Sequence, residues 1–183
     1  MRQHQEAQNA RARLARLARW VRLISALMAV LVLTVPPLFW AQPDWVAEVA
    51  RRDWALGTVQ LDPMARLGGL LAGLPASAMS LWALWQVWQL FGCFGRGELL
   101  SLRPARHLGR LGWALLMLMA LLPLSDTLVR LALTLGNPAG QRQLVLGLST
   151  YHLLCLLTGL VMLALSRVMR EAARVADENA AFV

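Results

Sequence analysis

The side chains best suited to ligating or acid–base chemistry are three histidines, His4, His107 and His152, and two cysteines, Cys93 and Cys155. Metal binding and general base catalysis need such groups to converge. His4 and His107 fall on one predicted side of a membrane, and His152 at the other end of the helices, so they cannot share a metal. Cys93 falls near one predicted membrane face and Cys155 inside a predicted span. Their spacing matches no metal or redox pattern, and both are expected as small packed side chains. No Gly-x-Ser-x-Gly, His-Glu-x-x-His or paired-aspartate pattern is present. The expectation is a protein with no catalytic residues, no metal and no cofactor.

What remains is charge. Arg96, Glu98, Arg103 and Arg106 lie in one short connection, and Arg174, Asp177 and Glu178 lie near the end of the chain. These two groups are the candidate contacts for a partner. Asp126 and Arg130 stand four apart, the spacing of an ion pair on a helix, and are a candidate pair at the outer surface.

The elements that hold these residues follow from composition. Of 183 residues, 58% are hydrophobic and only 15% are charged. A soluble domain carries roughly 25% charged residues. A chain this short cannot hide so much apolar surface from water, so one integral membrane domain is expected. Disordered, collagen-like and disulfide-scaffold classes are excluded by the same figures. All 18 basic residues are arginine. No basic helix with an aromatic platform accompanies them, so direct nucleic-acid binding is not expected.

Four spans are read at about 23–40, 67–91, 105–125 and 150–168. The first follows a basic segment, 1–22, whose Leu14, Leu17, Trp20 and Val21 share one side of a helical wheel. That segment either lies on an anionic membrane surface or serves only to fix orientation; the second is favoured. Pro36, Pro37, Phe39 and Trp40 stand where a cleaved leader would need small residues, so the span is read as a retained anchor. Residues 41–66 read as a polar loop with a short strand near 56–61. In the second span, Pro75 predicts a kink, and Gly69 and Gly73 form a small-xxx-small pair suited to close helix packing. Such glycines also permit a homodimer. Gln86 and Gln89 suit interhelical hydrogen bonds. The third span is stopped near Asp126, because continuing would bury Asp126 and Arg130 at about 2.5 kcal/mol or more each. Residues 127–148 then alternate around Gly136-Asn137-Pro138-Ala139-Gly140 and read as a β-hairpin outside the membrane. Residues 169–183 form a charged helical tail.

Thirteen of the eighteen arginines fall in 1–22, 92–110 and 167–183. The positive-inside rule therefore places both termini and the middle connection in the cytoplasm. The predicted fold is mainly α: a four-helix transmembrane bundle with a small extracytoplasmic β-cap.

Two stretches carry a family likeness. One is Leu90-Phe91-Gly92-Cys93-Phe94-Gly95-Arg96-Gly97-Glu98 followed by Arg106-His107-Leu108-Gly109-Arg110-Leu111-Gly112. The other is Ala172-Ala173-Arg174-Val175-Ala176-Asp177-Glu178-Asn179-Ala180-Ala181-Phe182-Val183. With them the chain, from Leu23 onward, resembles the bacterial four-span inner-membrane family catalogued as domain of unknown function 2975. The family usually continues its Arg-Gly-Glu element with Phe-Ser; Leu99-Leu100-Ser101 stands there in this chain. The resemblance implies the bacterial inner membrane, a regulatory role and a small helix-turn-helix regulator as partner. It brings no catalytic residues.

The function expected is thus a non-enzymatic regulatory or sensory module in the lipid bilayer, acting through a cytoplasmic partner. A small transporter, an immunity-type protein or a lipid- or ligand-binding protein is the alternative. The apolar stretches Leu23–Phe39, Leu67–Phe91, Leu111–Leu124 and His152–Leu165 hold no Asp, Glu, Arg or Lys, which argues against ion-coupled transport.

Overall fold

The computed structural model describes residues 2–54, 56, 59, 61–98, 101–138 and 147–181, with side chains within 12–179. The described residues form five helices: α1 (Arg2–Ala41), α2 (Pro43–Arg52), α3 (Pro63–Gly95), α4 (Leu102–Thr134) and α5 (Thr150–Ala181). All but α2 are long and apolar enough to cross a membrane. The basic segment before the first span is not a separate element; α1 runs through it without a break.

The helices pass through two compact units. One unit holds Val30–Ser80 and Met117–Cys155. Its core is Trp40, Val46, Ala50, Leu56, Val129 and Leu133. The segment that carries α2 was expected as a polar loop. Pro43 at the first helical position, Asp44 in the first turn and Arg51 and Arg52 in the last turn explain the helix instead. Val46 and Ala50, one turn apart, bury its narrow apolar stripe. Arg66 Nη1 donates to the carbonyls of Trp40 (3.4 Å) and Ala41 (3.3 Å), satisfying groups left open at the end of α1.

Two expectations about this unit are corrected. The third span does not stop near Asp126: residues 127–134 continue α4 and are not a hairpin strand. Ser125, Val129 and Leu133 are buried at four-residue intervals, a helical face. Thr127 Oγ1 and Thr134 Oγ1 donate to the carbonyls of Pro123 and Arg130, each four residues back and each at 2.8 Å. The penalty for the two charges assumed lipid around both. Arg130 is half-buried in protein and donates to the Trp54 carbonyl at 3.4 Å, and Asp126 is exposed. The candidate Asp126–Arg130 pair is not among the ion pairs of the described residues. No strand occurs among the described residues; 139–146 of the expected hairpin, and residues 57, 58 and 60 of the expected strand, lie outside them.

The Gly69–Gly73 pair also acts differently. A Cβ on Gly69 would lie within 2.5 Å of three atoms of the Trp40 ring, so Gly69 makes room for an aromatic side chain. Gly73 faces open space.

The other unit holds the chain up to Ala29, Leu81–Leu116 and the chain from Leu156. Here α4 and α5 approach backbone to backbone. A Cβ on Gly112 would lie 2.9 Å from the Gly159 carbonyl oxygen, and a Cβ on Gly159 would lie 3.0 Å from that of Gly112. Small residues allow this approach in an apolar surrounding, where dispersion and hydrogen bonds must hold helices together. Ser166, fully buried, donates from Oγ to the Ala105 carbonyl at 2.7 Å. The Arg22 guanidinium lies 4.2 Å above the Trp88 ring, joining α1 to α3.

Candidate functional site

A turn and a helix face build the site. At its end α3 closes with two backbone bonds, Glu98 N–H to the Cys93 carbonyl (3.1 Å) and Gly97 N–H to the Phe94 carbonyl (3.0 Å). That pairing needs a left-handed residue after the cap. Gly97 supplies it with φ of 80°, free of the Cβ clash that other residues would meet. The turn folds Glu98 back onto Arg96, whose Nε donates to Glu98 Oε1 at 2.9 Å. Arg96 Nη2 also reaches Cys93 Sγ at 3.4 Å. The Arg96 hydrogen bond holds the Glu98 carboxyl below the usual glutamate range.

Helix α4 starts just after Ser101, with Pro104 in its first turn. Arg103, Arg106, His107 and Arg110 follow at the i, i+3, i+4 and i+7 positions of one helix face. His107 Nδ1 meets Gln86 Oε1 at 2.9 Å. The amide oxygen only accepts, so Nδ1 donates. Gln86 is 2% exposed, which makes this a buried tie between α3 and α4. Like charges at such spacings on a helix repel by about 0.2–0.5 kcal/mol per pair.

Together the turn and the face line an open cavity of about 340 Å³, with Arg103, Arg106 and Arg110 exposed. It is lined by Arg96, Arg103, Arg106, His107 and Arg110, with Gln89 and Cys93 on the α3 side. Arg106 Nε donates to the Leu102 carbonyl at 3.4 Å. Arg103 and Arg110 make no hydrogen bond or ion pair among the described residues. Among the described residues, four guanidinium groups line the cavity, and the carboxylate ion-paired to one of them is Glu98, on Arg96. Chemically the cavity can bind an anion. Cys93 and His107 both line the cavity, His107 being tied to Gln86 and Cys93 to Arg96, and no three His, Cys, Asp or Glu side chains gather as a metal site among the described residues.

Of the candidate contact residues, Arg96, Arg103 and Arg106 line this one cavity and Glu98 binds its edge through Arg96. The tail residues do not join them. Arg174 pairs along α5 with Glu171 and, at 3.9 Å, with Glu178; Asp177 is exposed on the same helix. The sequence reading missed Arg110, Gln89 and His107 as members of the site. For His107 and Arg110 the signal was the three-and-four spacing from Arg103, read only as a basic flank; Gln89 lies on α3 and was read only as an interhelical hydrogen-bonding group.

Neither curated proteins nor solved structures give a match to this chain. A family profile does: the one described as "Protein of unknown function (DUF2975)" matches residues 37–183. The match begins later than Leu23 but takes in both stretches that carried the resemblance. It spans well over half the chain, which therefore belongs to the DUF2975 family.

Proposed function

We propose that this protein is a non-enzymatic regulatory module of the bacterial inner membrane, acting through a cytoplasmic protein partner. The observation that carries the reading is the charged extension of α5. The helix continues well past its apolar part, from Arg167 to Asn179, with Glu171, Arg174, Asp177 and Glu178 all exposed. An exposed charged helix on an otherwise apolar chain is a surface for a soluble partner. The arginine distribution supports a cytoplasmic location for it and for the α3–α4 connection. Arg96, Glu98, Arg103 and Arg106 are proposed as the second contact surface. The partner proposed is a small helix-turn-helix regulator, as the family resemblance implies.

Co-expression with a small helix-turn-helix regulator from the same genome tests this. The full-length protein should retain the regulator through membrane solubilisation. A chain lacking residues 171–183 should insert equally well and lose the regulator. Equal retention by both chains contradicts the proposal.

A further inference from the structure

We propose that the arginine-lined cavity between the end of α3 and the start of α4 binds a phosphate monoester, whose dianionic phosphate seats on Arg103, Arg106 and Arg110. This assignment shares Arg103 and Arg106 with the second contact surface proposed above, but it places a ligand in the cavity and needs no protein partner.

Geometry carries it. The three arginines and His107 share one face of α4 and open into the same cavity of about 340 Å³. That volume is at the small end of ligand sites, which run from about 300 to 1,000 Å³. Among the described residues the charge is only partly matched, by Glu98, which pairs with Arg96 and lies in the field of Arg103. Arg96 is matched by Glu98 at 2.9 Å, while Arg103 and Arg110 have neither hydrogen bond nor ion pair among the described residues. Arg106 uses Nε on the Leu102 carbonyl. Its two terminal nitrogens remain for a ligand. Guanidinium forks match phosphate oxygens two at a time, which a point charge does not. A monocarboxylate carries a single charge and would leave more of this cluster unmatched than a phosphate dianion.

The surroundings add to the preference. Arg103 lies in the first turn of α4, where the helix dipole favours negative charge. Mutual repulsion on the α4 face falls once an anion sits among the guanidinium groups, so ligand binding and local helix stability are coupled. The same phosphate chemistry is offered by a lipid with a phosphomonoester headgroup and by a soluble phosphorylated metabolite.

The test uses the full-length protein in phosphatidylcholine nanodiscs. In one arm inorganic phosphate is titrated and binding is followed calorimetrically. In the other arm the nanodiscs contain phosphatidate, and the lipid retained by the protein is weighed by native mass spectrometry. Each arm is repeated with Arg103→Gln/Arg106→Gln. The control, Arg51→Gln/Arg52→Gln, removes the same charge from α2 instead. The cavity variant should bind at least about tenfold more weakly in one or both arms, with the control unchanged. Loss in the phosphate arm identifies a soluble ligand; loss confined to the phosphatidate arm identifies a lipid. Arg103→Lys/Arg106→Lys keeps the charge and the helix but loses the fork, so it should fold and still bind more weakly than the parent. No binding in either arm, or equal binding by the parent and the cavity variants, overturns the proposal.

Discussion

Gly112 on α4 and Gly159 on α5 meet backbone against backbone: a Cβ on Gly112 would lie 2.9 Å from the Gly159 carbonyl oxygen, and the converse distance is 3.0 Å. Two helices are locked together by what these residues lack. Gly112→Leu or Gly159→Leu should separate α4 from α5 and destabilise the protein by about 1–3 kcal/mol. Unfolding titrations in mixed micelles measure this. Unchanged stability in both variants contradicts the packing described.

Gly69 and Trp40 offer a second, coupled pair. Gly69→Ala forces the buried Trp40 ring out of place and should cost on the order of 1–3 kcal/mol. In a Trp40→Leu background the obstacle is gone, so Gly69→Ala should cost little. Additive losses across this double-mutant cycle would show that the ring and the glycine do not compete for space.

The buried tie between Gln86 and His107 has its own signature. Gln86→Leu removes the acceptor and leaves His107 Nδ1 without it, at an expected cost of about 1–3 kcal/mol. Gln86→Leu/His107→Leu should recover part of that loss. A double variant as unstable as the sum of its parts rules the tie out.

The Arg96–Glu98 pair predicts a pH response. Because the Glu98 carboxyl is held low by Arg96, its contribution is present above the ordinary glutamate value and is lost as pH falls through the lower folded value. Infrared titration of the Glu98 carboxyl should give a midpoint below 4.5, the ordinary value. Arg96→Gln should raise that midpoint. No difference between the two proteins would mean that Arg96 is not the cause.

Much of the fold is legible in the sequence because lipid leaves so few options: an apolar run long enough to cross must be a helix. The four spans follow from that alone. The failures fall where periodicity serves two structures. Residues 127–134 are leucine-rich and satisfy a strand and a helix equally; Val129 and Leu133 packing with Trp40 and Val46 decides the matter, and that contact is remote in sequence. Helix α2 carries readable signals at Pro43, Asp44, Arg51 and Arg52, but its stripe of Val46 and Ala50 is too narrow to stand out in a charged loop. The glycine pairs show the same limit. Gly69 and Gly73 have the spacing of a packing pair, yet Gly112 and Gly159 make the close approach, because spacing on one helix does not name the residue opposite.

The candidate site is legible in a comparable degree. Arg103, Arg106, His107 and Arg110 have helical spacing in the sequence, and Gly97 marks a turn. That the turn sets Arg96 beside this face, in one cavity, depends on how α3 packs against α4 through Gln86 and His107.

The partner proposal needs the end of α5 and the α3–α4 connection to face the cytoplasm. Labelling with a membrane-impermeant maleimide tests that directly, using Asp177→Cys and Asp53→Cys in a Cys93→Ser/Cys155→Ser background. Asp177 and Asp53 are both exposed. In intact spheroplasts Asp53→Cys should react at once, and Asp177→Cys only after the membrane is permeabilised. Immediate labelling of Asp177→Cys from outside would place the charged tail on the wrong side and contradict the account.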